Sequence, residues 1–334
     1  MRPDPVVAVV GATGAVGQVM RQVLEERDFP YSRLRFLASS RSAGKELEFR
    51  GERIVVEELA PDSFGGVDIA LFSAGAGISR QFAKHAVEAG AVVVDNSSAF
   101  RMDEDVPLVV PEVNPADVSW HRGIIANPNC STIQMVVALE PLHELAHIKR
   151  VVVATYQAAS GAGQAAMDEL VGQTREVLDG RDAVPSAFAH PIAFNLIPQI
   201  DVFLDDGYTK EEWKMAAETQ KIMGDPDIAV VSTCVRVPVL RAHSEAIFVE
   251  FFDSFEMADV RAALEAAPGI VLVDDPAERE YPMPLTATDT DDVYVGRLRR
   301  DPTVRDGIAM WVVADQLRKG AATNTVQIAE LLLG

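Results

Sequence analysis

The sequence predicts an α/β protein in two parts: an amino-terminal, doubly wound parallel sheet, followed by a mixed α+β domain built on a large sheet. Three observations carry that prediction. At 334 residues the chain exceeds what one hydrophobic core usually organises. Its first third alternates short apolar runs with helical periodicity, and beyond Cys130 strand-like runs dominate.

Taken in order, Val6 to Val10 is a short apolar strand, and after a glycine turn Val16, Val19, Met20, Val23 and Leu24 recur at helical spacing among Arg21, Gln22, Glu25 and Glu26. Further strands are predicted at Leu34 to Ala38, Ile54 to Glu57, Val67 to Ser73 and Ala91 to Asp95, with a helix from Ser79 to Ala89 between the last two. Strands alternating with helices require right-handed crossovers and hence a parallel sheet. After Cys130, a helix from about Thr132 to Leu145 leads into a long strand from His147 to Ala158. Strands then follow at Ile228 to Val239, Glu245 to Phe252, Ile270 to Val273, Val293 to Arg300 and Ile308 to Val313. One face of so large a sheet could pack on a partner. The tail from about Asp315 to Leu333 reads as a helix, with Val326, Ile328, Ala329, Leu332 and Leu333 as its apolar set.

Composition narrows the function classes. With 48% hydrophobic and 24% charged residues, the chain reads as an ordinary globular protein, and no apolar run approaches the roughly 18 residues of a membrane span. Thirty Lys and Arg against fifty Asp and Glu give a net charge of −20, a field that repels nucleic acid and anionic lipid. An anionic substrate therefore needs a local basic pocket. Two cysteines, Cys130 and Cys234, are too few for a disulfide framework, and the start MRPDPVVAVVG lacks the features of a signal peptide, so a cytoplasmic setting is predicted.

The stretch Gly11, Ala12, Thr13, Gly14, Ala15, Val16, Gly17 lies between the first strand and the first helix, where backbone N–H groups and the helix dipole can hold a pyrophosphate. The spacing is GxxGxxG rather than GxGxxG, so context carries the assignment of a Rossmann-type dinucleotide site. An NAD-binding unit commonly ends its second strand in a carboxylate for the ribose diol. This chain has Ser39, Ser40, Arg41 and Ser42 there. Hydroxyls plus a guanidinium suit a 2′-phosphate, which predicts NADP, the alternative for Arg41 being a solvated loop residue.

Cys130 lies in Asn127-Pro128-Asn129-Cys130-Ser131-Thr132, directly before an apolar-periodic helix. At that position the positive end of the helix lowers a thiol's pKa, whereas Cys234, inside an apolar strand, reads as a core residue. A thiolate beside a nicotinamide suggests covalent acyl chemistry, which needs a base and an anion clamp. Of six histidines, His243, between two predicted strands, has the best placement for the base.

These residues fall into widely separated motifs: Gly11 to Gly17, Asp95 to Arg101 (DNSSAFR), Val110 to Asn114 (VPEVN), Asn127 to Gln134 (NPNCSTIQ), Tyr156 to Gly161 (YQAASG), Thr209 to Lys214 (TKEEWK), Arg236 to Val239 (RVPV), His243 to Glu245 (HSE) and Asn324 to Glu330 (NTVQIAE). In their order and spacing they resemble the bacterial aspartate-semialdehyde dehydrogenases over nearly the whole chain. The resemblance implies an NADP-dependent, phosphorylating aldehyde oxidoreductase that converts β-aspartyl phosphate to aspartate semialdehyde reversibly, in lysine, diaminopimelate, methionine and threonine biosynthesis.

The resemblance also implies roles for individual residues. Cys130 is the acyl-accepting nucleophile and His243 the acid/base, with Asn129 and Gln157 orienting substrate and oxyanion. Arg101 and Lys214 take the phosphate, Arg236 forks onto the α-carboxylate, and Glu211 takes the ammonium. The cofactor falls to Gly11, Thr13, Gly14, Ala15, Val16, Ser39, Ser40, Arg41, Ser42, Ser73, Ala74, Gly75, Asn96, Ser160, Gly161 and Asn324, with no metal. Residues 1–130 with 315–334 form the nucleotide domain, and 131–314 the catalytic and dimerisation domain of a homodimer.

A protein this acidic needs a few placed cations to hold such a substrate, with a bidentate Arg for its carboxylate. Glu211 and Lys214 could instead be a surface pair worth about 0.2–0.5 kcal/mol. Thr209 and Glu212 have capping-box spacing, so Glu212 is assigned to the helix start. The alternatives are another cysteine-dependent acyl-phosphate reductase such as an N-acetyl-γ-glutamyl-phosphate reductase, for which Glu211 has no ammonium to bind; a silent NADP-binding regulatory subunit, which would lose the thiol, base or clamp; and a cysteine acyltransferase or hydrolase without redox chemistry, which has no need of the glycine turn.

Overall fold

A computed structural model describes residues 1–334, which divide into two compact units, Met1–Asn129 with Ala321–Gly334, and Cys130–Gly320. The first unit holds a seven-stranded sheet of β1 (Val6–Val10), β2 (Arg33–Ala38), β3 (Glu46–Phe49), β4 (Glu52–Glu58), β5 (Ile69–Phe72), β6 (Val92–Asp95) and β7 (Ile124–Ala126), in the order β3-β4-β2-β1-β5-β6-β7. All neighbours are parallel except the β3–β4 hairpin. The chain winds outward from β1 through β2 and then from β5 through β6, so a topological switch lies between β1 and β5, where such sheets bind ligands. Two helices, α1 (Ala15–Glu26) and α2 (Ala76–Glu88), make the crossovers.

β1 is VVAVV and almost wholly buried, as a central parallel strand covered on both faces must be. Phe72 at the end of β5 stacks on Phe64 with ring centroids 5.9 Å apart, in a core shared with Phe82, Ala83 and Ala86 of α2. Each such buried aromatic contributes roughly 1.5–3 kcal/mol. The sequence reading omitted β3 and β7. β3 (ELEF) buries only Phe49 and carries glutamates on a sheet edge, where charge discourages further pairing rather than announcing a strand.

The second unit holds a six-stranded sheet of β8 (Ile148–Gln157), β9 (Ala229–Arg236), β10 (His243–Phe251), β11 (Ile270–Leu272), β12 (Val293–Arg300) and β13 (Gly307–Ala314), in the order β11-β12-β13-β10-β8-β9. β10 is antiparallel to both β8 and β13, while β8 and β9 are parallel, so this is the mixed sheet that the sequence predicts. Its helices are α3 (Cys130–Ala146), α4 (Gln164–Leu178), α5 (Lys210–Met223), α6 (Met257–Ala266) and the short α7 (Pro284–Ala287). Sequence periodicity left α4 and α6 unassigned.

Strand alternation gives this sheet two unlike faces. On β10, His243, Glu245, Ile247, Val249 and Phe251 are buried, whereas Phe248 stays 40% exposed. On β8, Val151, Val153, Thr155 and Gln157 are buried, whereas Tyr156 is 37% exposed and packs on Trp311 at 5.4 Å. The inward face lies against α3, α5 and α6. The outward one leaves Tyr156 and Phe248 exposed.

The predicted tail helix is a correction in detail. Residues Arg318–Ala322 form a π-helix, and the regular helix, α8 (Thr323–Leu331), starts only after it. Single π turns cluster at functional sites, and this one has a packing reason given below.

Candidate active site

The inward face of the second sheet changes character toward one end. On β8 it runs Val151, Val153, Thr155, Gln157, and on β10 it runs Val249, Ile247, Glu245, His243. Thr155 stands opposite both Cys234 and Glu245, and Gln157 stands opposite Arg236 at the end of β9. Apolar residues thus give way to a buried polar row, Arg236, Gln157, His243, at the strand ends. Arg236 is 6% exposed, Gln157 1% and His243 0%.

Two glycines bring other groups close to this row. A Cβ on Gly161 would lie 2.7 Å from Arg236 Nη1 and 3.0 Å from His243 Nε2. A Cβ on Gly320, inside the π turn, would lie 2.9 Å from Cys130 Cβ. A side chain at either position would force these neighbours to shift. Cys130 itself is half-buried and is the first residue of α3, at the helix's positive end, rather than a free loop residue. Burial lowers the pKa of the Arg236 guanidinium, and negative charge on Cys130 and Glu211 opposes that effect.

His243 opens β10 rather than lying in a loop as its neighbours suggest. Its Nδ1 accepts the backbone N–H of Ala158 at 3.1 Å, while the Ala158 carbonyl accepts Arg236 Nη1 at 2.7 Å. One backbone unit therefore sets both side chains. Burial, and then the charge of Arg236, hold the His243 pKa well below the ordinary histidine value, so the ring is neutral. Its Nε2 has no hydrogen-bond partner. The residue before it, Ala242, adopts a left-handed φ of 69° and is held there through its N–H by Gln316 Oε1 at 2.9 Å. Gln316 also donates to Ser160, beside Gly161.

Glu211 and Lys214 do form an i,i+3 pair, at 3.2 Å, but not on the surface, since Glu211 is 5% exposed. Burial opposes the Lys214 charge, yet Glu211 and Asp201 outweigh it and raise its pKa. Asp201, which no sequence pattern singles out, accepts from Lys214 Nζ at 2.7 Å. Gln157 Nε2 donates to Glu211 Oε1 at 3.3 Å, joining this pair to the polar row. The capping box is present as predicted: Thr209 Oγ1 accepts from Glu212 N, and Glu212 Oε2 accepts from Thr209 N. It starts α5 and thereby presents Glu211 and Lys214.

The first unit carries a separate constellation. Gly11 has φ 86°, and a Cβ there would lie 2.8 Å from Ser73 O, so the turn hugs the end of β5. A Cβ on Gly17 would lie 2.1 Å from Gly11 O, which makes that glycine obligatory for close packing of α1. Gly14 caps α1 without a side-chain hydrogen bond, so the first N–H groups of the helix, those of Ala15 and Val16, have no side-chain cap. Ser73 Oγ donates to Val10 O, and Ala74 leads to Gly75, the positive-φ cap of α2. Thr13 donates to Ser42 at 3.3 Å, joining the turn to the Ser39, Ser40, Arg41 loop after β2, where no carboxylate stands.

At the ends of β6 and β7, Asn324 donates to Asn127 Oδ1 at 2.7 Å, and Asn127 donates to Asn96 Oδ1 at 2.6 Å. Arg101, 8% exposed, bonds the carbonyls of Asn127 and Asn96. Asn129 is buried and ends this unit. Asp95, buried at the end of β6 and raised in pKa by that burial, accepts from Ser79 and Ser97; the sequence reading gave it no role. The glycines and open N–H groups fit a dinucleotide's phosphates, and the hydroxyls of Thr13 and Ser42 fit its ribose end.

Residues 6–121 match the family model described as semialdehyde dehydrogenase, NAD binding domain, and residues 139–319 match semialdehyde dehydrogenase, dimerisation domain. The chain is 56% identical over 332 residues to the aspartate-semialdehyde dehydrogenase of Aquifex aeolicus (strain VF5), covering 98% of this chain and 97% of that protein. Its fold is similar to the crystal structure of aspartate semialdehyde dehydrogenase II from Vibrio cholerae complexed with ASA, with a TM-score of 0.97, 51% identity and 99% of each chain covered. It is also similar to an aspartate semialdehyde dehydrogenase with NADP from Candida albicans, with a TM-score of 0.77, 28% identity and 98% of each chain covered. No helix is long and apolar enough to cross a membrane.

Proposed function

The chain belongs to the aspartate-semialdehyde dehydrogenase family, and from that premise we propose that it catalyses the reversible, NADP-dependent reductive dephosphorylation of β-aspartyl phosphate to aspartate semialdehyde. The observation that carries this reading is the packing of buried Arg236 and His243 against Gly161, with Cys130 among the charges that act on Arg236.

In the proposed reaction the Cys130 thiolate attacks the acyl carbon. A sulfur–carbon bond forms and the carbon–oxygen bond to phosphate breaks, leaving a thioester and inorganic phosphate. The Cys130 N–H at the start of α3, with the side chain of Asn129 or Gln157, steadies the oxyanion. NADPH, when bound, supplies the hydride that reduces the acyl carbon. Collapse of the resulting thiohemiacetal re-forms the carbonyl and releases the thiolate, with the neutral His243 ring placed to give and retake a proton through Nε2. Arg236 is the fork for the substrate α-carboxylate and Glu211 the site for its ammonium. Arg101 and Lys214 bind the departing phosphate, Lys214 being held ready by Asp201 and Glu211.

The first unit would hold NADP through Gly11, Thr13, Gly14, Ala15 and Val16, with Ser39 to Ser42 at the 2′-phosphate. Ser73, Ala74, Gly75, Asn96, Asn324, Ser160 and Gly161 would serve the rest of the dinucleotide. The absence of a carboxylate after β2 supports NADP over NAD, as does the likeness to a structure with NADP. The protein would act in the cytoplasm as a homodimer joined through the open face bearing Tyr156 and Phe248.

The test is a coupled assay of the purified protein with aspartate semialdehyde, phosphate and NADP, run beside NAD and beside C130A. NADPH should form with wild type, and C130A should lose at least about a thousandfold in turnover while NADP affinity stays within about twofold. Wild-type protein that forms no NADPH overturns the activity, and a turning-over C130A removes the thiol from it.

A further inference from the structure

Two residues beyond His243 on β10, and on the same inward face, Glu245 is fully buried. It stands between Thr155 of β8 and Val312 of β13, and beyond Thr155 lies Cys234 of β9, which in turn feels Glu211 and Glu212 of α5. From α3 it meets Gln134, itself fully buried and one helical turn beyond Cys130. The charged group of the polar row, Arg236, acts on His243 rather than on this carboxyl. The proposed chemistry uses neither Glu245 nor Gln134.

Three buried atoms at this contact lack a partner: both carboxyl oxygens of Glu245 and Oε1 of Gln134. Gln134 Nε2 donates to the His243 carbonyl at 3.5 Å. If the carboxyl were ionised, all three orphans would be acceptors with no donor among them, an arrangement proteins avoid. One proton resolves all three. With the carboxyl protonated, its O–H would have Gln134 Oε1 as acceptor and the second N–H of the Gln134 amide would have the carboxyl C=O, while the first keeps its bond to the His243 carbonyl. Burial pushes the Glu245 carboxyl pKa well above its usual range, against the opposing amide of Gln134, which agrees with that count.

We propose that Glu245 is held as a neutral carboxylic acid in a cyclic hydrogen-bonded pair with the Gln134 amide, and that this pair is the strut spacing the Cys130 helix from the His243 strand. Glu245 is thus a positioning residue. Cys130 and Gln134 are i and i+4 on α3, and His243 and Glu245 are i and i+2 on β10, so the pair links the two elements one step behind their reacting residues. A misplacement of about 1 Å between reacting groups costs about a hundredfold in rate.

The effect on turnover rests on the reading of Cys130 and His243 given above; the place of the proton does not. Infrared spectra of wild type and E245Q near neutral pH should therefore differ by the C=O stretch of one protonated carboxylic acid. E245Q, whose amide can pair with Gln134 in the same cyclic manner, should keep kcat within about threefold, whereas E245L and Q134L should each lose about a hundredfold with KM for NADP unchanged. The exchanged pair Q134E with E245Q, which rebuilds acid and amide in reverse, should recover most of that loss. Absence of the acid band, wild-type kcat in E245L, or an exchanged pair as slow as E245L overturns the proposal. A wild-type protein with no turnover would refute the proposed function while the infrared difference still decides the proton.

Discussion

The Ala158 backbone N–H points at Nδ1 of His243 from 3.1 Å, and a backbone amide can only donate, so the neutral ring carries its proton on Nε2. The arrangement makes His243 a proton donor toward whatever stands before Gly161. It also means that the ring can act as a base only after it has given that proton away.

The tautomer is exposed to steric test at Gly161. This glycine has ordinary backbone angles, so G161A strains no dihedral, yet its Cβ would press on Arg236 Nη1 and His243 Nε2. G161A should lower kcat by about a hundredfold with little change in melting temperature, measured by steady-state kinetics and calorimetry. Wild-type kcat in G161A would show that these two side chains do not need their present positions.

The pH behaviour follows from two buried groups of opposite sign. The unfolded chain takes up a proton at His243 near pH 6.5 that the native ring accepts only at lower pH, so this group's contribution to stability is lost as pH falls below 6.5. Glu245 behaves oppositely: the native state keeps a proton that the unfolded chain releases above about pH 4.5, so stability declines as pH rises beyond that point. Glu140, pushed up to about 7 by burial and by Glu144, adds a decline of the same sign. Urea unfolding between pH 5 and 8 should show a shallower loss for E245Q than for wild type in an E140Q background. The acid limb of kcat/KM due to His243 should lie below pH 6.5, and a limb at or above that value would contradict the neutral, buried ring.

Cofactor choice is predicted to reside in the loop after β2. R41A should reduce kcat/KM for NADP about tenfold or more and leave the value for NAD unchanged, because a charge-assisted contact to phosphate contributes about 1.5–3 kcal/mol. S39D places a carboxylate where a ribose diol would lie and should shift preference toward NAD. Equal effects on both nucleotides would move the 2′-phosphate site elsewhere.

Assembly can be read from the open sheet face. F248D introduces a charge opposite Val152 and Ala309 on the sheet face that also bears Tyr156, so sedimentation velocity should show a dimer for wild type and a shift toward monomer for the variant. A wild-type monomer would refute the homodimer.

The sequence by itself determined most strands of both sheets, though not β3 or β7, together with the glycine turn at the end of β1, the thiol at the start of α3 and the capping box that opens α5. Each is a local signal, written in residues a few positions apart as periodicity, spacing or cap chemistry. Tertiary structure alone decided that Asp201 grips Lys214, that Ala158 fixes the His243 tautomer, that a π turn brings Gly320 against Cys130, and that Glu245 meets Gln134 with three atoms unpaired. In those cases the partners are joined by strand register and helix packing across tens to more than a hundred residues. Burial, which sets the charge state of each group, exists only once the chain has closed around it.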